Sequence, residues 1–360
     1  MTLERILVVR LADIGDVLTA TPALRALRAR YPAAVLHLLT TAAAAKAVRP
    51  GLVDRIVIAP RNLANRPAEL PAALALLRDL RAQRYDAVLF LHHLSSTAGV
   101  LKYRLLAAAT GASVLAGLDN GRGGWLNRRV PDAGFGAQHE VRYALAAAEL
   151  LDARLPATDQ AALVAPYTSA DAHEAAGLLA PLGARLRVAL HSGSGGYALA
   201  RRWDPAKWAA LADALVQQRD AAIVLVGTPA DGADAVQAAM THPALNLAGR
   251  TSLPVLAALL AQCDLFLGAD SGIMHLAAAS GTPLVALFGP SNPAAWGPWT
   301  PTSPAAVVRL GLRCSPCSYV GQGVGLRAGC WHRSCMADLE PAQVLAALEE
   351  LPGLERSERS

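Results

Sequence analysis

Long apolar runs are missing from this sequence. No stretch approaches the ~18 uninterrupted apolar residues of a membrane span, and the Ala/Leu-rich segment Leu253 to Leu267 is broken by Gln262 and Asp264. Near the N-terminus only a short run beginning at Ile6 is available, closed by Arg10 and followed by Asp13 and Asp16. A secretory signal has no room there, so the expectation is a soluble, cytoplasmic protein. Aromatic residues make up only 5% of the chain, and no basic run is interleaved with them, so a stacking platform for nucleic acid is not expected. The charge imbalance is small, 33 basic against 28 acidic residues, which suits an anionic partner without naming one. Also absent is any Asp-x-Asp sequence of the kind that would hold a divalent ion.

The 360 residues, 53% of them hydrophobic, are enough for two domains, each burying its own core. Short β-branched runs alternate with Ala/Leu/Arg segments of helical period. The first domain reads as strand Ile6–Arg10, helix Val17–Arg30, strand Val35–Leu39, helix Ala42–Val48, strand Arg55–Ile58, helix Ala68–Gln83, strand Tyr85–Leu91 and helices Thr97–Ala109 and Gln138–Leu151. After the Pro- and Gly-punctuated stretch Pro166–Gly183 the pattern resumes with strand Arg187–His191, helix Pro205–Gln218 and strand Ala222–Val226. Helices at Asp231–Met240, Leu253–Ala261 and Ser271–Ala279 and strands at Leu265–Gly268 and Leu284–Phe288 follow. This predicts two Rossmann-like, doubly wound α/β domains facing across a cleft, residues 1–165 and 166–340, with a last helix and polar tail over 341–360.

Three segments carry chemistry. The loop Arg10-Leu-Ala-Asp-Ile-Gly-Asp16 joins the first strand to the first helix, where open α/β sheets place ligands. Asp16 falls at the N-cap or first turn of that helix, ahead of Val17, Ala20, Leu24 and Leu27, so a capping role and a catalytic role compete for it. The second segment, His191-Ser-Gly-Ser-Gly-Gly196, follows a strand and precedes Arg201, Arg202 and Trp203; small residues let backbone amides approach phosphate, and guanidinium groups neutralise it. Its Gly193-x-Gly195-x-x-Ala198 spacing also fits a dinucleotide fingerprint. Against that, the helix waits until Pro205 and the next strand ends Val226-Gly227-Thr228 with no acidic residue. The third segment, Gly268-Ala-Asp270-Ser271-Gly272-Ile-Met-His275, runs from strand into helix and offers free N–H groups to a diphosphate. Taken singly, Asp270 fits a cap and His275 a core histidine equally well.

Together these segments make the chain resemble family 9 glycosyltransferases, the bacterial heptosyltransferases of the lipopolysaccharide inner core. The likeness rests on Ile6 to Leu24, on Arg202, Trp203 and Trp208, on Asn246-Leu-Ala-Gly-Arg-Thr-Ser-Leu253, and on Gly268 to Ala279 through Leu287-Phe-Gly-Pro-Ser-Asn292. The resemblance implies the two-domain fold called GT-B, an ADP-heptose donor, inversion at the anomeric carbon, and neither metal nor other cofactor. It matches Asp16 to the general base. It puts Ser192, Ser194, Arg201, Ser271, Gly272 and His275 on the diphosphate, Asp270 on the donor sugar, and the loop Gly249–Leu253 with Thr251 near the base, with Asp231 a candidate for the ribose. Where the family usually carries Lys this chain has Arg201, which keeps the charge and changes the donor geometry.

The acceptor side is less marked. Arg61, His92 and Lys102 are the candidates for a lipid-linked oligosaccharide acceptor, reached by peripheral contact with the inner face of the inner membrane. His139-Glu140 resembles a family feature at the start of a helix, and a helix-start role explains it equally. Cys314, Cys317, Cys330 and Cys335 form a spacing compatible with a structural zinc or iron–sulfur site or with free thiols, while Cys263 stands apart. Three other readings remain: a transferase using another nucleotide sugar, a sugar-nucleotide epimerase on the same fold, and a non-catalytic nucleotide- or carbohydrate-binding protein that keeps the donor loops.

Overall fold

The computed structural model describes residues 2–60, 69–156, 161–195, 198–325 and 328–352. The chain divides into two units. The first runs to Ala161 and takes back 321–323; the second begins at Ala162 and includes the C-terminal helix.

In the first unit, β1 (Arg5–Val9), α1 (Ile14–Arg30), β2 (Val35–Thr40), β3 (Arg55–Ile58), α2 (Leu70–Ala82), β4 (Ala87–Phe90), α3 (Thr97–Thr110), β5 (Val114–Asp119), β6 (Arg128–Pro131) and α4 (Glu140–Glu149) follow in order. All six strands are parallel, ordered β3-β2-β1-β4-β5-β6. Both faces of such a sheet are covered by helices, so β1 and β4 are unbroken apolar runs rather than alternating ones. Strand order reverses between β1 and β4, which opens a crevice at their carboxyl ends.

The second unit repeats the plan. It contains α5 (Ser169–Leu179), β7 (Leu186–His191), α6 (Pro205–Arg219), β8 (Ala221–Leu225), α7 (Ala233–Ala239), β9 (Leu245–Asn246), α8 (Leu253–Leu260), β10 (Leu265–Ala269), α9 (Gly272–Ala279), β11 (Leu284–Leu287), α10 (Pro293–Trp296), β12 (Ala305–Val308), α11 (Ser334–Ala337) and α12 (Pro341–Glu349). The order β12-β11-β10-β7-β8-β9 puts the reversal between β7 and β10. Val344 and Leu348 of α12 join the core around Trp203 and Trp208, and Trp203 Nε1 donates to the Leu339 carbonyl at 2.9 Å. The last helix thus belongs to the second core. The two doubly wound α/β units expected from the periodicity are present.

Several elements differ from the sequence expectation. The helix expected over Ala42–Val48 is a single 3₁₀ turn, Ala44–Ala47; Val48 is already extended, and Pro50 disfavours helix at Arg49. The stretch read as a linker, Pro166–Gly183, contains α5, closed at its start by Thr168 and Asp171, whose carboxylate accepts from the Thr168 N–H at 2.8 Å. Strands β5, β6 and β12 were not expected. Gly117 interrupts β5, where a Cβ would lie 2.9 Å from the Phe90 carbonyl, and β6 is the charged, proline-bearing Arg-Arg-Val-Pro.

Candidate active-site residues

At the first reversal, β1 ends at Val9 and Arg10 opens the loop into α1, whose N-cap is Asp13. Asp16 is the third residue of the helix. Its Oδ2 accepts from the Asp13 N–H at 3.2 Å, while Oδ1 accepts from Arg10 Nη2 at 3.0 Å. The capping and catalytic readings are therefore compatible in one carboxylate. The helix tolerates Pro22 because the Leu18 carbonyl, deprived of its usual donor, accepts from the Thr21 hydroxyl at 2.6 Å. Burial pushes the Asp16 carboxyl up to about 6, against the pull of Arg10 and with help from the charges of Glu140 and Asp13. Its side chain still keeps 28% of its surface open.

Behind Asp16 lies a charged cluster of which the sequence marked Arg10 and Glu140 but neither His93 nor Asp132. Arg10 Nη2 reaches Glu140 Oε2 at 3.4 Å, its Nε donates to the Asp16 carbonyl at 3.2 Å, and its Nη1 donates to the Leu91 carbonyl. His93, from the end of β4, bridges Glu140 Oε1 at 2.7 Å and Asp132 Oδ1 at 2.9 Å. Burial alone would lower the His93 pKa, but the two carboxylates override it and raise it to about 9. The segment 321–323 packs on this unit: Gln322 donates to the Asp132 carbonyl at 3.3 Å and accepts from Asn120 at 2.7 Å. The neighbouring His92 is buried, its ring stacked on Tyr103 at 4.6 Å, and its Nε2 accepts from the Leu11 N–H at 2.8 Å. That bond needs a neutral ring, consistent with burial driving its pKa well down. His92 thus locks the Arg10–Asp16 loop in place. Lys102 lies over the Tyr103 ring at 4.6 Å, and Arg61 lies outside the described residues.

At the second reversal, the loops after β7 and β10 meet. Ser271 caps α9, accepting from Met274 N at 3.2 Å, and its hydroxyl is 3.3 Å from His191 Nδ1. Arg201 Nη1 pairs with Asp270 Oδ2 at 3.0 Å, with its guanidinium over the Tyr319 ring at 5.3 Å. Gly272 and buried His275 lie in the first turn of α9, His275 edge-on to Trp296 at 6.1 Å. The hydroxyls of Ser192 and Ser194 donate to the carbonyls of Asp231 and Ala198, at 2.9 Å and 2.7 Å. These bonds shape the loop. Asp231 is buried; its Oδ2 accepts from the N–H and hydroxyl of Thr228, both at 2.7 Å, and lies 3.4 Å from His191 Nε2. Burial opposes ionisation there, and the His191 and Thr228 contacts overcome it, holding the carboxyl well below its usual range. Thr251 lies in the loop before α8, beside the Asp231 turn: Gly249 N donates to the Gly227 carbonyl at 2.8 Å.

The four clustered cysteines are free thiols, with Cys317 and Cys335 raised by burial and by the other thiols of the group. Among the described residues no three His, Cys, Asp or Glu side chains stand in a metal-holding arrangement.

The family model for glycosyltransferase family 9 (heptosyltransferase) matches residues 73–322, more than half of the chain. The chain belongs to this family. Lipooligosaccharide heptosyltransferase 2 of Haemophilus influenzae is 31% identical over 212 residues, covering 55% of this chain and 58% of that one. Lipopolysaccharide heptosyltransferase 3 of Escherichia coli is 38% identical over 102 residues, 27% of this chain and 30% of that one. These matches span less than two thirds of the curated relatives' length. Solved structures are matched along nearly all their length. The E. coli ADP-heptose LPS heptosyltransferase II is 26% identical with a TM-score of 0.71, covering 96% of this chain and 98% of that one. A family 9 glycosyl transferase from Veillonella parvula has a TM-score of 0.73 at 20% identity, with 97% and 98% covered, and supports the fold.

Proposed function

We propose that the chain is an inverting, metal-independent glycosyltransferase that moves heptose from ADP-heptose to a lipid-linked acceptor of the lipopolysaccharide inner core. The observation that carries this is Asp16: an enclosed carboxylate with one open edge, at the β1–β4 reversal, raised to about 6. A base of that strength is ionised at neutral pH and able to accept the proton of an acceptor hydroxyl as its oxygen attacks the anomeric carbon. The donor reading follows from the β7–β10 reversal. There the N-terminus of α9 and Arg201 supply the positive charge that a departing diphosphate needs, with His275 as a hydrogen-bond donor, which is the work a metal does elsewhere. Ser192 and Ser194 fit the diphosphate through their loop. Asp270, already held by Arg201, is the acceptor for sugar hydroxyls. The heptosyltransferase names of the relatives, and the ADP-heptose in the name of the E. coli structure, fit this donor and acceptor.

Peripheral membrane contact is part of the same reading. No helix among the described residues is long and apolar enough to cross a membrane. Leu101 and Leu105, one turn apart on α3, are exposed beside Lys102 and Arg104, as are Leu70 and Leu74 on α2, which packs against α3.

The test is ADP release from ADP-heptose in the presence of an inner-core lipid acceptor, with UDP- and GDP-sugars in parallel. Asp16→Asn should cut acceptor-dependent release by ~100-fold or more, and EDTA should leave turnover unchanged. Release from another nucleotide sugar would keep the mechanism and change the substrate. Donor binding without turnover, for any acceptor, would leave a binding protein.

A further inference from the structure

Arg10, Glu140, His93 and Asp132 form a line of alternating charge that ends on Asp16, and beyond the likeness at His139-Glu140 and a helix-start role the family reading assigns them no part. The line contains three carboxylates, Asp132, Glu140 and Asp16, against two cations, His93 and Arg10. Four members are closed off from solvent, with side chains 7% exposed or less; Asp16, at 28%, is the open end. The excess negative charge therefore sits where a substrate hydroxyl can meet it.

We propose that Glu140, clamped by His93, is a positioning residue for glycosyl transfer: by sharing the Arg10 fork it lets Arg10 aim the Asp16 carboxylate without neutralising it. This rests on Asp16 being the base. The geometry argues for sharing. Arg10 Nη2 lies 3.0 Å from Asp16 and 3.4 Å from Glu140, while its Nε and Nη1 are taken by the carbonyls of Asp16 and Leu91. A guanidinium facing Asp16 alone in this enclosure would make a tight pair and a weak base. Glu140, side chain 2% exposed, needs more positive charge than half of Arg10, and His93 supplies it at 2.7 Å. His93 is held in turn by Asp132 and by the rings of Phe135 and Tyr143, at 4.2 Å and 4.9 Å. The other groups facing Asp16 are Asp13 on its own helix and Tyr103 on α3, and His92 and Lys102 lie beyond Arg10.

The experiment is the pH dependence of kcat and kcat/KM, with ADP-heptose and inner-core lipid, for wild type, Glu140→Gln, Asp16→Asn and the double variant. Glu140→Gln gives Arg10 wholly to Asp16. The acid limb of kcat/KM should move down by about one pH unit and the plateau kcat should fall by about tenfold, with KM for ADP-heptose unchanged. The double variant should be no slower than Asp16→Asn, because the relay acts only through that carboxylate. A folded Glu140→Gln whose limb does not move, or a double variant slower than Asp16→Asn by the factor seen for Glu140→Gln alone, overturns the proposal. Arg10→Lys keeps the charge and loses the fork, so kcat should fall by more than about tenfold at constant KM for ADP-heptose. Wild-type kcat in that variant would overturn the relay even if Glu140→Gln does not fold. Full activity in Asp16→Asn would instead sink the base reading, and the relay with it.

Discussion

At the scale of residues, the informative groups are those whose ionisation the fold has moved. Asp16 is raised to about 6 mainly by burial, so its ionised form is less comfortable folded than unfolded. The protein bears that cost above the unfolded carboxyl range, near pH 4, and is relieved of it below. Asp16→Asn should therefore raise the melting temperature at pH 8 and give no gain near pH 4, while cutting turnover by ~100-fold or more; an equal gain at both pH values would refute the assignment. His93 has the opposite sense. Its pKa is raised to about 9, so it stabilises fully below its ordinary value near 6.5 and the contribution is lost as pH rises through about 9. His93→Gln should flatten the wild-type fall in melting temperature between those limits. Nothing in the sequence marked His93, which adjoins His92, and Asp132 gave no signal. Their significance comes from neighbours 39 and 47 positions apart in the chain.

At the scale of elements, the proposed donor site rests on the loop after β7 and the start of α9. Gly193 is needed there for packing: a Cβ would stand 2.0 Å from Asp231 Oδ1. Gly193→Ala should cost about 1–3 kcal/mol of stability through overpacking and weaken ADP binding by calorimetry, since Asp231 must shift and the loop hangs on its carbonyl through Ser192. Ser271→Ala removes the cap of α9, worth about 1 kcal/mol, and should weaken ADP more than adenosine, because only the diphosphate meets the helix terminus; equal losses would count against that placement. The loops after β7 and β10 were legible because Gly, Ser and a strand-to-helix change are local signals. The helix α5 was missed for a related reason: Pro166 and Gly183 were read as a linker, whereas they bound a helix started by Thr168 and Asp171.

At the scale of the molecule, the exposed leucines of α2 and α3 predict a surface property. Vesicles containing anionic lipid should retain the protein in flotation, and Leu101→Ser with Leu105→Ser should reduce the bound fraction several-fold while ADP binding is unchanged. The sequence by itself determined the repeated α/β plan, because strands covered on both faces must be continuous apolar runs and helices must show their own period. It also determined the residues at both chain reversals, since the loops after β1, β7 and β10 carry their signals within a few positions. Only the tertiary structure decided the strand β5 and the edge strands β6 and β12, which are held by their neighbours rather than by their own composition. It also decided the charge line from Asp132 to Asp16. A carboxylate's strength as a base depends on what surrounds it in space, and the folding of β4, β6 and α4 around Arg10 is what sets it.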